Sequence, residues 1–276
     1  MSEKRKQTGT SSPLEAQHKR AKGAINSIAK EYVCPIALEL PVDPVTAEDG
    51  RVYNRADIQK HIDNSKCKKY DGSEEFEYMY RDLRSPMTKE PMGPKLFPAI
   101  QVRNSIRALI DSGAIDGDDG NAEQWKKVDE LRTDAEGGDP EAMLCMSKLF
   151  YNGEDGIVKD DAKAYMWISR AADLDNTPAI GTKGRMLIEG LGTEQNRVEG
   201  GTLQGIAAAR GHGLSQYDLG IFFHGGIQGF TKNILMAKYW LKETIANKGE
   251  WSLTEDIVTQ VKRILESIEK EERGGK

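Results

Sequence analysis

Residues 32–111 contain three side chains of the two types that bind structural zinc, namely Cys34, His61 and Cys67. A structural zinc ion takes four Cys or His ligands, and a module built on two zinc ions needs eight. The ligand count therefore excludes zinc from this region. Cys34 is also a weak candidate for a nucleophile, because no histidine stands near it in a pattern that suggests a base, and buried cysteines are common.

Short β-prone runs at residues 45–47 and 51–53 predict one antiparallel hairpin. Residues 48–50 join them, and their Asp-Gly step supplies the positive φ that a tight turn demands. Asn54 can cap the helix that follows. The modest apolar face of that helix consists of Ala56, Ile58 and Ile62.

A second helix is predicted around residues 99–109, because apolar residues recur there at helical spacing: Ala99, Val102, Ile106 and Leu109. Pro98 stands just ahead of them as an acceptable first-turn residue. Residues 33–110 are therefore expected to form a compact α+β domain. Two loops, one around residues 34–36 and one around residues 85–87, flank its central helix.

The order of these motifs resembles the U-box, the metal-free relative of the RING finger. The matching elements are residues 32–36 (Tyr-Val-Cys-Pro-Ile), residues 43–45 (Asp-Pro-Val), Tyr53 and residues 84–88 (Arg-Ser-Pro-Met-Thr), in that order. The resemblance covers about eighty residues. It implies that the two loops and the central helix form a shallow groove that binds a ubiquitin-conjugating enzyme.

The resemblance also implies roles for four residues. Ile36 occupies the position of the first-loop aliphatic contact, Leu38 that of a second apolar contact, and Pro86 that of the second-loop proline. Arg84 matches the basic residue that in active members bridges the conjugating enzyme and its bound ubiquitin. Taken one by one, a core residue, a turn-forming proline and a solvated charge explain these positions equally well. The ordered set favours the functional interpretation.

Residues 64–83 form a longer connection than a typical U-box has between its central helix and its second loop. Their mixed charge and Gly72-Ser73 predict a surface insertion. Two interpretations stay open, a tolerated loop and an additional contact to ubiquitin or to the substrate.

Beyond residue 121 the sequence repeats, with a spacing of 37 and then 36 residues. Small residues recur in phase at Ser147, Gly184 and Gly220, as expected where two helices approach closely. A period near 36 with two apolar-faced segments in each unit predicts helix pairs that stack into an all-α solenoid. The pattern resembles Sel-like repeats, a tetratricopeptide-type family of protein-interaction scaffolds. The middle repeat is degenerate, with Lys183 at an apolar position and Gly200-Gly201 where its second helix should begin.

The C-terminal segment is predicted to be a helix that closes the solenoid. Ser252 and Glu255 have the spacing of a capping box. One apolar stripe follows, formed by Ile257, Val261, Ile264 and Ile268. The stripe is expected to dock on the last repeat, and a dimerisation helix is the alternative.

Composition and charge indicate a soluble protein of the cytoplasm or the nucleus. Charged residues make up 30% of the chain, the mean hydropathy is -0.61, and no apolar run is long enough to span a bilayer or to serve as a secretory signal. The three cysteines cannot build a disulfide framework, which agrees with a reducing compartment. Residues 1–22 have a net charge of +4, from six basic and two acidic side chains, and resemble either a bipartite nuclear-import signal or a solubilising tail. Nucleic-acid binding is disfavoured, because the rest of the chain has a net charge of -9.

Together these observations predict five segments. They are a disordered basic segment at 1–30, a U-box domain at 31–111, a linker at 112–121, helical repeats at 122–251 and a capping helix at 252–276. The predicted function is that of a ubiquitin ligase that binds a ubiquitin-charged conjugating enzyme and recruits a protein substrate or adaptor through its repeats. A non-catalytic adaptor or scaffold, which could be a homodimer, is the alternative. No metal or organic cofactor is implied.

Overall fold

A computed structural model describes residues 31–69, 77–80, 82–115, 121–247 and 253–274. This part of the chain contains five strands and ten helices. The chain divides into two compact units, Met1–Glu130 with Asp155–Val158 and Leu131–Glu154 with Lys159–Lys276. The basic clusters of residues 1–22 and the Asp/Gly-rich residues 116–120 lie outside the described residues, and the hypotheses about them remain hypotheses.

The first unit combines two small sheets with helices. Its elements are β1 (Pro44–Ala47), β2 (Val52–Asn54), α1 (Arg55–Asn64), β3 (Lys66–Lys69), β4 (Glu77–Tyr80), β5 (Leu96–Pro98), α2 (Ile100–Asp111) and the beginning of α3 (Ala122–Gly137). One sheet has the order β2-β1-β5 with both pairs antiparallel, and β3 and β4 form a separate antiparallel pair. The predicted α+β class is confirmed.

The β1–β2 hairpin turns where the Asp-Gly step predicts. Gly50 has a φ of +76°, and its N–H donates to the carbonyl of Ala47 at 2.9 Å. This is the three-residue turn that ends in a left-handed glycine. One core joins the first loop, the sheet, α1 and the residues just before the second loop. Its buried members are Cys34, Val45, Ala47, Tyr53, Ile58, Ile62 and Leu83.

Two local predictions for this unit were wrong. Asn54 stands at the N-cap of α1 but makes no cap hydrogen bond, because its Oδ1 accepts from Asp43 N at 3.1 Å and its Nδ2 donates to Asp57. Pro98 is the last residue of β5, paired with Val45, and lies outside the first turn of α2. The connection at residues 64–83, predicted as a surface insertion, contains the paired strands β3 and β4 among its described residues. Tyrosines at positions 78 and 80 have the high strand propensity that accounts for β4.

The second unit is an all-α solenoid, as predicted. After α3 it contains α4 (Pro140–Asn152), α5 (Asp161–Asp173), α6 (Thr177–Glu189), α7 (Arg197–Ala209), α8 (Gly213–Gly225), α9 (Ile234–Ala246) and α10 (Glu255–Gly274). The three helix pairs are α4–α5, α6–α7 and α8–α9. Among the described residues, no helix combines the length and the apolar character that crossing a bilayer requires.

The small residues that recur in phase lie where the two helices of each pair touch. The hydroxyl of Ser147 donates to the carbonyl of Ala164 in the neighbouring helix at 2.9 Å. A Cβ added at Gly184 would lie 2.8 Å from the carbonyl oxygen of Gly200, and one at Gly220 would lie 2.6 Å from the side chain of Leu241. Packing therefore explains this repeat position, and the degenerate middle repeat still forms both of its helices.

The C-terminal helix caps the solenoid as predicted, but it begins later than the predicted capping box. Val261 and Ile268 of α10 are buried in one cluster with Leu241 of α9. The helix starts at Glu255, and the hydroxyl of Thr254 accepts from Ile257 N at 3.4 Å, so Thr254 takes the capping role. Ser252, which was expected to take that role, lies outside the described residues.

Candidate functional site

The two loops that flank α1 adopt the same turn. In the first loop, Cys34 N donates to Glu39 O at 2.8 Å and Leu38 N donates to Cys34 O at 2.8 Å. In the second loop, the residues 51 positions later repeat both bonds, from Ser85 N to Glu90 O at 2.8 Å and from residue 89 N to Ser85 O at 3.1 Å. The fifth residue of each turn is left-handed, with a φ of 60° at Leu38 and 64° at residue 89.

This equivalence pairs the side chains of the two loops. Both turns have proline at the second position and glutamate at the sixth. The third position is Ile36 in the first loop and Met87 in the second, and these side chains are 39% and 45% exposed. Sequence reasoning missed Met87, although the signal was present in the likeness of residues 34–39 to residues 85–90.

Leu38 contributes little to the fold that carries it. Its side chain is 77% exposed, and its left-handed backbone costs an L-residue about 1–2 kcal/mol. Glycine would adopt the same conformation without that cost. An exposed leucine in this conformation is therefore a candidate for contact with a partner, because the fold itself gains little from the side chain.

The first loop is fixed to α1 through a carboxylate. The buried thiol of Cys34 donates to Asp57 Oδ2 at 3.7 Å, and Asn54 Nδ2 donates to the same oxygen at 3.1 Å. Cys34 is fully buried in the core, so it has the structural role that was expected and is not accessible as a nucleophile.

The second loop is fixed to α1 and to the β1–β2 turn. His61 Nε2 of α1 donates to the carbonyl oxygen of Arg84 at 2.8 Å. The hydroxyl of Ser85, which is buried, donates to Asp49 Oδ2 at 2.7 Å and accepts from the backbone N–H groups of Met87 and Thr88. One serine thus anchors the loop and closes its turn.

Asp49 is the centre of that anchor. Its Oδ2 also accepts from the hydroxyl of Tyr53 at 2.7 Å, and its Oδ1 accepts from Arg51 N at 3.0 Å. Burial raises the pKa of Asp49, but the hydrogen bonds from Ser85 and Tyr53 outweigh burial and leave the pKa below its usual value. Burial and the bond to Asp49 raise the pKa of Tyr53. The carboxylate therefore stays charged and holds the loop under ordinary conditions.

Arg84 lies immediately before the second loop, and its side chain is 48% exposed. Its Nε donates to Asp82 Oδ1 at 2.8 Å, and its Nη1 donates to the carbonyl oxygen of Lys89 at 3.1 Å. The hydrogen bond from Arg84 lowers the pKa of Asp82. The guanidinium is thus held in one orientation at the side of the second loop.

Two residues beyond α2 support the chain just after the first loop, and sequence reasoning assigned neither of them to the site. Asn121 Nδ2 donates to Leu40 O and its Oδ1 accepts from Leu40 N, both at 2.9 Å. The buried indole of Trp125 donates from Nε1 to Pro41 O at 3.0 Å. All four residues belong to the first unit. The anchoring of the first loop therefore extends into α3.

No group of three or more His, Cys, Asp or Glu side chains with the geometry of a metal site occurs in the part of the chain that the structure describes. The two loops are fixed by hydrogen bonds. Cys34 and Ser85 are equivalent residues of the two turns, and each donates to a carboxylate on the element beneath it. The four predicted site residues all lie on or next to these turns, and Pro86 is half-buried.

Comparison with known families agrees with this architecture. The U-box domain model matches residues 28–113, and the Sel1 repeat model matches residues 140–176 and 213–247. A Sel1 repeat protein from Oxalobacter formigenes is 26% identical over 43% of this chain and 88% of its own, with a TM-score of 0.40. The protective antigen c5321 of uropathogenic Escherichia coli strains, which displays an SLR fold, is 19% identical over 62% of this chain and 38% of its own, with a TM-score of 0.42. The chain carries a U-box domain followed by Sel1 repeats.

Proposed function

We propose that this chain is a ubiquitin-protein ligase that acts through its U-box domain and recruits its substrate through its Sel1 repeats. The observation that carries the proposal is the pair of equivalent turns on either side of α1. A buried side chain, Cys34 in the first turn and Ser85 in the second, fixes each turn through a hydrogen bond to a carboxylate. Together the turns expose Ile36, Leu38 and Met87. Exposed apolar side chains on rigid loops are suited to contact a partner protein.

In this proposal the groove binds a conjugating enzyme that carries ubiquitin as a thioester. Ile36, Leu38 and Pro86 are the contacts carried over from the family, and we add Met87 because it is the counterpart of Ile36 in the second turn. Small interfaces depend on a few apolar anchors. Full burial of one such side chain contributes about 1.5–3 kcal/mol.

Arg84 is the residue that we propose to act on the bound ubiquitin. Its guanidinium is rigid and carries several donors, which suits it to bridge two proteins. Asp82 and the carbonyl of Lys89 orient it before the partner arrives, and both are exposed enough to exchange for partner groups. The ligase then contributes orientation and electrostatic preorganisation, and the bond chemistry takes place between the thioester and the substrate lysine.

The proposed transfer needs no covalent intermediate on this chain. Cys34, the cysteine of the first loop, is buried and donates to Asp57. The substrate is recruited by the solenoid, whose stacked helices offer the extended surface that repeat proteins use for protein partners. The cytoplasm or the nucleus is the compartment in which such a transfer would take place.

One observation favours a second function, that of a non-catalytic adaptor. The guanidinium of Arg84 already makes two hydrogen bonds within its own loop. If these bonds persist in the complex, the U-box binds a conjugating enzyme without acting on ubiquitin. An adaptor of this kind would bind the charged enzyme and leave its thioester lifetime unchanged.

An autoubiquitination assay with the full-length chain across a panel of conjugating enzymes separates the two functions. A ligase forms ubiquitin chains or discharges the thioester with at least one enzyme, and an Ile36→Ala variant loses that activity. A chain that binds a charged enzyme but accelerates no discharge with any member of the panel would be an adaptor.

A further inference from the structure

A small polar cavity lies between α6, α7 and α8 of the second unit. Its volume is about 50 Å³, and its lining includes Thr182, Arg185, Gln204, Leu214 and Asp218. That volume holds about three water molecules, or a polar group of three heavy atoms such as a carboxamide. Thr182, Arg185 and Leu214 are partly exposed, so the cavity is accessible from the surface.

Two polar side chains of the cavity, Arg185 and Gln204, bond to one carboxylate oxygen of Asp218. Arg185 donates to Asp218 Oδ2 from Nε at 3.0 Å and from Nη2 at 2.6 Å, and Gln204 Nε2 donates to the same oxygen at 3.2 Å. Gln204 is only 1% exposed, and within the described residues its Oε1 is buried without a hydrogen-bond partner. A buried acceptor without a partner is costly, and a ligand that donates a hydrogen bond removes the cost.

Burial of the carboxylate at the centre of this cluster has a desolvation cost. Burial raises the pKa of Asp218 in spite of its bonds with Arg185 and Gln204, so the carboxylate is held in the cavity against its own desolvation cost. The helices α6 and α7, which contribute Arg185 and Gln204, lie at residues 177–209, between the two segments that match the Sel1 repeat model. Two of the three residues of the polar cluster therefore lie outside the segments that match the family, and Asp218 lies within the segment 213–247 that does.

We propose that this cavity binds a carboxamide side chain, asparagine or glutamine, of the protein that the repeats recruit. The carboxamide NH₂ group donates to Gln204 Oε1, and its carbonyl oxygen accepts from Arg185 Nη1, the guanidinium nitrogen that does not bond to Asp218. Arg185 and Asp218 neutralise each other, so a neutral group is preferred over a carboxylate or an ammonium. This inference rests on the proposed role of the repeats in recruiting a protein substrate.

The test is a selection of random twelve-residue peptides displayed on phage against immobilised full-length protein, with Gln204→Met in parallel. Methionine has the length of glutamine but neither its donor nor its acceptor. We expect enrichment of asparagine or glutamine at one position on the wild-type protein and none on Gln204→Met. A selected peptide should bind at least about tenfold more weakly when that residue is replaced by leucine. The matched control is Gln260→Met at an exposed position of α10, which should select the same peptides as the wild type.

Two further measurements make the outcome decisive. Gln204→Met should melt within about 3 °C of the wild type, which shows that its loss of binding is not unfolding. Its discharge of ubiquitin to free lysine should be unchanged, so a wild type that selects carboxamide peptides but discharges no ubiquitin would refute the ligase and leave the site standing. Absence of carboxamide enrichment, or equal enrichment on Gln204→Met, would overturn the inference and leave a cavity that holds ordered water only.

Discussion

Replacement of Leu38 by glycine separates the stability of the U-box domain from its binding of a conjugating enzyme. Three effects on stability nearly cancel. Relief of the left-handed backbone stabilises the folded chain by about 1–2 kcal/mol. The greater freedom of glycine in the unfolded chain costs about 0.5–1 kcal/mol, and loss of the quarter of the side chain that is buried costs about 0.5 kcal/mol. We therefore expect the free energy of unfolding to change by less than about 1 kcal/mol.

Binding should respond very differently. If Leu38 is buried against the conjugating enzyme, its removal costs about 1.5–3 kcal/mol, which is a loss of about 10- to 140-fold in affinity. Urea unfolding and titration of the full-length protein with a conjugating enzyme measure the two quantities. Lys89→Gly is the matched control, because it relieves the same backbone conformation in the second turn without the loss of an apolar side chain. Unchanged affinity in Leu38→Gly would refute the assignment of the first turn to the interface.

Three further predictions concern the supports of the site and of the repeats. Ser85→Ala removes a hydrogen bond to a charged group and should lower the free energy of unfolding, measured in urea, by about 1.5–3 kcal/mol. It should also slow the discharge of ubiquitin to lysine. A loss of stability without slower discharge would show that the second turn has no part in transfer. The folded pKa of Asp49 is lowered, so its contribution to stability is complete above its unfolded pKa of about 3.9 and is lost as the pH falls through the folded value. Asp49→Asn should therefore weaken the dependence of the free energy of unfolding on pH in the acid range. An unchanged dependence would contradict this. Gly220→Ala should lower the melting temperature of the solenoid. Overpacking of the α8–α9 contact costs about 1–3 kcal/mol, whereas the gain in helix propensity is about 1 kcal/mol. An equal or higher melting temperature would show that the helices can move apart.

The repeats were predictable because their signals are local and periodic. Ser147, Gly184 and Gly220 recur at one position, and each of them lies at a helix–helix contact. The turn at Gly50 was equally clear, since an Asp-Gly step between β-prone runs has few alternatives. Signals of this kind depend on chain neighbours, so the sequence contains them in full.

The supports of the site depend on residues that are distant in the chain, and sequence reasoning did not identify them. Ser85 and Asp49 are 36 positions apart, and Trp125 reaches Pro41 across 84 positions. Asn54 was expected to cap α1, but competing hydrogen bonds with Asp43 and Asp57 determine its position. Polar side chains such as these have several acceptable partners, and only the folded chain selects among them.

The most direct test of the proposed function is the single-turnover discharge of ubiquitin from a charged conjugating enzyme to free lysine. The full-length protein should accelerate discharge, Ile36→Ala should lose the acceleration through weaker binding, and Arg84→Ala should lose it even when the enzyme is present at saturation. The polar cavity between α6, α7 and α8 has no part in this reaction, so the result depends on the U-box domain alone. A wild-type protein that binds charged enzymes and accelerates none of them, or an Arg84→Ala variant that is fully active at saturation, would contradict the proposed mechanism.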